Sequence, residues 1–136
     1  MREDLLKLIE ANNSEENGLR IAIPIDAYVD KMLSNATIVP YYCSGDIKGM
    51  IGYYNNDESK EQSFLTLILI AKDYQGKGLG KLLLQLSIDD LKQKGFSNYG
   101  LEVLKKNSKA IKLYEDFGFE KKEDRNDFWQ MNKKLL

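Results

Sequence analysis

The sequence predicts a mixed α/β domain over residues 1–136, with a mostly antiparallel sheet flanked by helices. Three observations carry that expectation. Several stretches place apolar residues at three- and four-residue spacing, the period of an amphipathic helix. Others are short runs of β-branched and aromatic residues bounded by Gly, Asn, Asp or Pro, which read as strands joined by turns. The order is two helices, three strands, a helix, a strand, a helix and two strands, which suits one sheet with helices packed on it. No linker, repeat or low-complexity stretch divides the chain.

Residues 3–11 read as a first helix, with Leu5, Leu6 and Ile9 on one face, and Asn12 to Gly18 as a polar loop. After Pro24, Ile25 to Asn35 sets Ile25, Val29, Met32 and Leu33 on one stripe, with Asp26 near the positive end of the helix dipole. Ile38 to Tyr42 is a strand whose Pro40 suits an edge or a bulge. Ser44-Gly45-Asp46 turns it into a return strand, Ile47 to Tyr54. Phe64 to Ala71 is apolar on both faces and belongs in the middle of the sheet. Gly78 to Lys94 carries Leu79, Leu82, Leu83, Leu86 and Leu91 at helical spacing and stops at Gly95. Tyr99 to Leu104 is a strand, and Ser108 to Phe117 a helix capped by Asn107 and ended by Gly118. Phe119 to Glu123 and Phe128 to Met131 form a last hairpin.

Composition removes whole classes of function. There is no histidine, which excludes Ser-His-Asp and Cys-His catalysis and any His-ligated metal, and no metal site is expected. Cys43 stands alone, so an intrachain disulfide is impossible. Twenty basic against 21 acidic side chains leave a net charge of -1, which removes the bulk electrostatic case for nucleic acid or an anionic membrane. The run Phe64 to Ala71 is far short of the ~20 apolar residues that span a bilayer. Met1-Arg2-Glu3-Asp4 has acids where a signal peptide needs bases, so a cytoplasmic location is expected.

Two constellations carry chemistry. Gln75-Gly76-Lys77-Gly78-Leu79-Gly80-Lys81 joins the buried strand to the long helix. Glycines at alternate positions let a ligand approach the main chain, and the first N–H groups of the helix have no internal partner. Phosphate or diphosphate suits such a turn, with Lys77 and Lys81 adding charge. The Walker and dinucleotide spacings both fail here, and a tight turn that binds nothing is the plain alternative. In the second constellation, Asn107, Ala110 and Tyr114 share one helix face. A phenol of reference pKa about 10 is a proton donor at neutral pH, although a lone helical Tyr is more often an amphipathic packing residue.

Taken together, Gln75-x-x-Gly78-x-Gly80 after a buried strand and Asn107-x-x-Ala110-x-x-Leu113-Tyr114-x-x-x-Gly118-Phe119 resemble the two motifs of the GNAT superfamily of acetyl-CoA-dependent N-acetyltransferases. The resemblance covers roughly residues 46–135. It implies a sheet whose parallel strands Phe64–Ala71 and Tyr99–Leu104 splay apart to admit the pantetheine arm, which pairs with the backbone of Ile68, Leu69 and Ile70. It further implies a diphosphate held by the amides of Gly76, Lys77, Gly78, Leu79, Gly80 and Lys81, with help from the Gln75 side chain. Asn107 and Ala110 would face the arm, and Tyr114 would protonate the departing thiolate. Glu102 is the implied base. Its spacing to Asn107 and Tyr114 is similar to that in ribosomal-protein alanine N-acetyltransferases, where a Glu deprotonates the amine through water; a Glu102 that only meets solvent or a lysine stays equally open.

The implied reaction moves acetyl from acetyl-CoA to a primary amine of a small molecule, amino sugar or terminal amine. A non-catalytic acyl-CoA sensor on the same scaffold is the alternative, and a CoA-independent nucleotide-phosphate binder is weakened by the failed spacings. At pH 7 an α-amine of pKa ~8 is about a tenth neutral, while a lysine amine is neutral in roughly one molecule per 2,500. A weak base therefore serves the first far better than the second. Tyr28, Tyr41, Tyr42, Tyr53, Tyr54, Asn55, Asn56, Phe128 and Trp129 are candidates to line the acceptor side, or simply to pack. The family's usual first strand could only be Leu19 to Ile23, and the edge strand at Pro40 leaves monomer and homodimer both open.

Overall fold

A computed structural model describes residues 1–12 and 23–136. The elements are α1 (Arg2–Asn12), α2 (Ile25–Asn35), β1 (Thr37–Cys43), β2 (Asp46–Tyr54), β3 (Gln62–Ile70), α3 (Leu79–Gln93), β4 (Asn98–Leu104), α4 (Ser108–Asp116), β5 (Glu120–Arg125) and β6 (Phe128–Lys134). They make one six-stranded sheet in the order β1-β2-β3-β4-β6-β5, antiparallel except for β3 beside β4. The edge position expected for the Pro40 strand is observed, with a register shift between Tyr41 and Tyr42. The β1–β2 hairpin closes on Ser44 and Gly45, both at positive φ, as a two-residue turn with the twist of its strands requires.

Helices cover both faces. On one face α3 and α4 pack over Ile51, Tyr53, Leu65, Leu101 and Met131; on the other, α1 and α2 pack over Met50, Leu67 and Leu69. At 11 residues each, α1 and α2 are too short to hold as isolated helices. Leu5, Ile9, Val29 and Met32 are fully buried, and each such side chain contributes ~1.5–3 kcal/mol, so packing rather than propensity holds them. The α3 helix ends in a Schellman closure. Gly95 at φ +87 lets Phe96 N–H reach the Leu91 carbonyl at 3.0 Å and Gly95 N–H reach Lys92 at 3.1 Å.

The feature that positions the site is a bulge in β3. Tyr53 pairs with Leu65 and Gly52 with Leu67, so Thr66 is an extra residue with no partner on β2. The face pattern flips across it, with Leu65 on the α3 side and Leu67 and Leu69 on the α1–α2 side. A bulge bends and twists its strand. Here the parallel pairing with β4 runs from Gln62–Asn98 to Leu65–Leu101 and stops there, one residue short of the bulge. Beyond it β3 and β4 diverge. Tyr28 of α2 pins the bulge, its hydroxyl donating to the Thr66 carbonyl at 3.1 Å and lying 2.7 Å from Thr66 Oγ1. Tyr28→Phe is expected to lower stability by about 1 kcal/mol, read as a shifted denaturant midpoint. An unchanged midpoint would mean that the bulge holds without α2.

Several expectations are corrected. Leu82 and Leu86 are about half exposed, and the buried stripe of α3 is Leu79, Leu83, Leu84, Ser87, Ile88 and Leu91. A leucine-rich run offers more than one helical stripe, and the sheet selects only one. Leu33 is exposed at the end of α2, and Asn12 is not in a loop but ends α1, buried, with its Nδ2 donating to Leu8 O at 2.8 Å. Phe119 precedes β5 and is core, and the last turn is only Asn126-Asp127. The rest of the Asn12–Gly18 loop and most of Leu19–Ile23 lie outside the described residues. Among the described residues no helix is long and apolar enough to cross a membrane.

Candidate active site

The gap between β3 and β4 is bordered on one side by Ile68, Leu69 and Ile70, the segment that the resemblance pointed to. Ile68, Leu69 and Ile70 pair with β2 on one side and have no strand on the other. At their end the chain makes a short 3-10 turn, Lys72–Tyr74, and enters the glycine-rich segment. Gly76 (φ +76) and Gly78 (φ +84) hold left-handed conformations, and a Cβ on either would meet no protein atom within 4 Å. Glycine is therefore required by the backbone, while the space beyond it is open. The first helical bond of α3 joins Leu82 N–H to Gly78 O at 3.1 Å, and no side chain caps the helix. The N–H groups of Leu79, Gly80 and Lys81 are thus without helical partners at the positive end of the dipole.

Side chains around the turn hold it in place. Gln75 Nε2 donates to the Ile70 carbonyl at 3.1 Å, so its amide ties the turn back to the end of β3. The Lys77 ammonium lies 4.9 Å from the centre of the Tyr74 ring, and Lys48, paired with Asp73 at 3.1 Å, lies 5.5 Å from it on the same residue. Lys81 is exposed on the first turn of α3. Lys77 and Lys81 thus belong to the turn and the first turn of α3, and Lys48 is held against the adjoining Asp73 and Tyr74.

Asn107 caps α4 as expected, its Oδ1 accepting from Ala110 N–H at 3.2 Å. Its two Nδ2 donors take no partner among the described residues. Tyr114 follows two turns along, 7% exposed, packed edge-on to Phe119 with centroids 5.8 Å apart. The motif Tyr114-x-x-x-Gly118-Phe119 has a physical reason here. Gly118 at φ +92 reverses the chain so that Phe119 N–H meets Tyr114 O at 3.0 Å and the Phe119 ring returns onto the Tyr114 ring. Phe119 in turn packs on Tyr99, whose hydroxyl donates to Ser87 Oγ at 2.9 Å. Burial alone pushes the Tyr114 phenol up to about 12. Every fully buried side-chain N or O among the described residues has a partner, so the unpartnered Tyr114 hydroxyl is one that still reaches solvent.

Glu102 approaches from the other face. Leu101 and Val103 of β4 enter the α3–α4 core, so Glu102 between them points to the α1–α2 side. It is exposed and meets an arginine rather than a lysine, with Arg125 Nη1 3.5 Å from Oε1. Acid and base candidates therefore lie on opposite faces of the sheet. The acceptor-side candidates do not form one pocket. Tyr28, Tyr54 and Phe128 share the Glu102 face, while Tyr53 is core, bonded to Asp90 at 2.6 Å. Trp129 sits on the opposite face under Lys105 and Lys121, and Tyr42 reaches Asp4 at 2.9 Å. Asn55 and Asn56 line a separate recess of about 470 Å³ with Lys60 and Phe96. Sequence reasoning missed Thr66 and Arg125. A bulge leaves no signature in an apolar run, and an arginine beside a turn reads as ordinary surface. Among the described residues no three His, Cys, Asp or Glu side chains converge to hold a metal.

Comparison with known proteins agrees with this geometry. The sequence model of the Acetyltransferase (GNAT) family matches residues 6–119. The chain is similar to the ribosomal protein bS18 alanine N-acetyltransferase of Escherichia coli, 38% identical over 69 residues, covering 51% of this chain and 47% of the relative. It is also similar to the spermine/spermidine N(1)-acetyltransferase of Bacillus subtilis, 34% identical over 88 residues, 60% of this chain and 58% of that one. The matched stretch thus spans about half the length of these curated relatives. The crystal structure of PaiA N-acetyltransferase from Thermoplasma acidophilum in complex with coenzyme A superposes with a TM-score of 0.78 over 98% of this chain and 92% of that chain. At 18% identity that likeness is one of fold. Splayed strands, glycine turn and Asn-to-Tyr helix follow one another within the matched span, and the chain belongs to the GNAT acetyltransferase family.

Proposed function

We propose that the protein transfers the acetyl group of acetyl-CoA to a primary amine by direct attack. The observation that carries this reading is the gap beyond the Leu65–Leu101 pair, which ends at a glycine-opened helix start. The unpartnered amides of Leu79, Gly80 and Lys81, with Lys77 and Lys81, suit a diphosphate at one end of a linear ligand. The edge of β3 over residues 68–70, unpaired by any strand and with its Ile70 carbonyl held by Gln75, suits an arm that adds to β3 like a strand, and the Nδ2 donors of Asn107 suit the arm's amides.

Chemistry follows from what stands on each face. A main-chain N–H near Ile70 holds the tetrahedral oxyanion. Tyr114, neutral up to about pH 12, gives its proton to the sulfur as the thiolate departs. Glu102 takes the amine's proton through water from the opposite face. The relatives are named for a protein's alanine and for spermine or spermidine; an amine on a small molecule, amino sugar or chain terminus is the corresponding class for this protein. A Tyr114 hydroxyl without a protein partner, on a helix that also carries Asn107, supports catalysis over mere acyl-CoA sensing.

The test is calorimetry with acetyl-CoA, CoA and ATP, followed by thiol release across a panel of amines. Acetyl-CoA is expected to bind and ATP not to. Binding without thiol release from any amine would turn the reading into a sensor. Glu102→Gln is expected to lower kcat/KM about tenfold at pH 7, less than the ~10²–10⁴ of a base in direct contact. That deficit closes as the pH rises past the amine's own pKa, where no base is needed. An unchanged pH profile removes Glu102 from the reaction.

A further inference from the structure

On the face of the sheet that carries Glu102, the β5–β6 hairpin brings up a second group. Glu102 pairs across the sheet with Gln130 and Gln130 with Glu123, while Leu104, Phe128 and Arg125 form the next row. Directly opposed residues share a face, so Glu102, Glu123 and Arg125 stand together on the acceptor side. The Arg125 guanidinium lies between the two carboxylates, with Nε on Glu123 Oε2 at 3.0 Å and Nη1 on Glu102 Oε1 at 3.5 Å. Asn126 at φ +62 turns the chain immediately after it and fixes where the side chain starts.

We propose that Arg125 is a specificity-determining residue, setting the acceptor as an amine with a single positive charge next to a neutral hydrogen-bond acceptor, the chemistry of a peptide's terminal α-amine. This rests on the acetyltransferase reading with Glu102 on the acceptor side. Two carboxylates and one guanidinium leave the trio with one net negative charge, which matches one ammonium. An arriving amine displaces Arg125 from the longer contact to Glu102, and Arg125 keeps the shorter one to Glu123. Half-exposed ion pairs are weak, so the displacement is easy. Once displaced, the guanidinium is a donor beside the bound amine. It welcomes a carbonyl and repels a second cation, and rejection by a placed charge is a common source of specificity. Arg125 thus selects the acceptor by its charge and its carbonyl, while the proton transfers stay with Glu102 and Tyr114.

The experiment uses two probes, alanylglycine amide as a monocationic α-amine and spermidine as a polycation, with wild type, Arg125→Gln, Glu123→Gln and Glu102→Gln. Wild type is expected to favour the peptide in kcat/KM. Arg125→Gln, which raises the net negative charge by one, is expected to lower KM for spermidine about fivefold more than for the peptide, within what one half-exposed charge supplies. Glu123→Gln is expected to move the same ratio the other way. Both variants should leave the acetyl-CoA Kd unchanged, and a merely structural role would move both ratios in one direction. A ratio that stays fixed, or moves the same way in both variants, overturns the proposal. So does failure of either amine to bind both wild type and Arg125→Gln in the presence of CoA. Loss of the base reading looks different: Glu102→Gln would then match wild type with both probes, whatever Arg125→Gln does.

Discussion

Replacing Tyr114 by Phe is expected to lower kcat about 10²-fold or more, the range supplied by a placed general acid, while the acetyl-CoA Kd stays within about twofold of wild type. The phenyl ring keeps every packing contact that Tyr114 makes, including the edge contact with Phe119 at 5.8 Å. The only atom removed is a hydroxyl without a protein partner. Substituting it with hydrogen therefore leaves the fold at least as stable, with a gain of up to ~1 kcal/mol from relieving a partly desolvated polar group. Lower activity together with equal or higher stability is the signature of a residue kept for chemistry. The pH dependence carries the sign. Because burial pushes the Tyr114 pKa up to about 12, the phenol stays protonated through the neutral and mildly alkaline range. The wild-type rate should then rise with pH as the amine loses its proton, with no alkaline fall before about pH 12. A fall with a midpoint near 10, the value of a free phenol, would mean that another tyrosine is the acid. An unaltered kcat in Tyr114→Phe would remove proton donation by this residue altogether.

Much of this site is legible in the chain because its parts are local. The turn from Gln75 to Lys81 and the helix from Asn107 to Tyr114 each depend on positive-φ glycines and free or capped helix starts within a few residues. Such requirements write themselves into spacing. The opening between β3 and β4 was expected only by resemblance, since its cause is not local. Thr66 becomes a bulge because β2 pairs with Leu65 on one side of it and Leu67 on the other, and Tyr28, 38 positions away, holds it. Nothing in Phe64–Ala71 distinguishes Thr66 from a strand residue with a short polar side chain. The misplaced stripe of α3 has the same origin. Leu82 and Leu86 match the helical period as well as Leu84 and Ile88 do, and only the sheet beneath decides which pair is buried. The partner of Glu102 is likewise set by the β4–β6–β5 register, which brings Arg125 from 23 residues away.

Gly78→Ala separates what the turn contributes to folding from what it contributes to binding. At φ +84 an L-residue is disfavoured by about 1–2 kcal/mol, and stability should fall by that amount in a denaturant melt. No protein atom lies within 4 Å of the added methyl, so packing adds nothing to the loss. Affinity should suffer more. The methyl would project into the open space in front of the turn, where the diphosphate is proposed to lie. Hydrogen bonds to a charged group are worth ~1.5–3 kcal/mol each, so displacing one or two of them weakens acetyl-CoA binding about 10²-fold. The rate at saturating acetyl-CoA should be nearly wild type, because Tyr114 and Glu102 lie on other elements. Gly45→Ala provides the control: its φ of +85 and empty surroundings are alike, but its turn joins β1 to β2. It should cost similar stability and leave acetyl-CoA affinity unchanged. If Gly78→Ala loses stability but binds acetyl-CoA as tightly as wild type, the diphosphate does not sit on this turn. Equal affinity losses at both positions would mean that general loosening of the fold, rather than contact at Gly78, weakens binding.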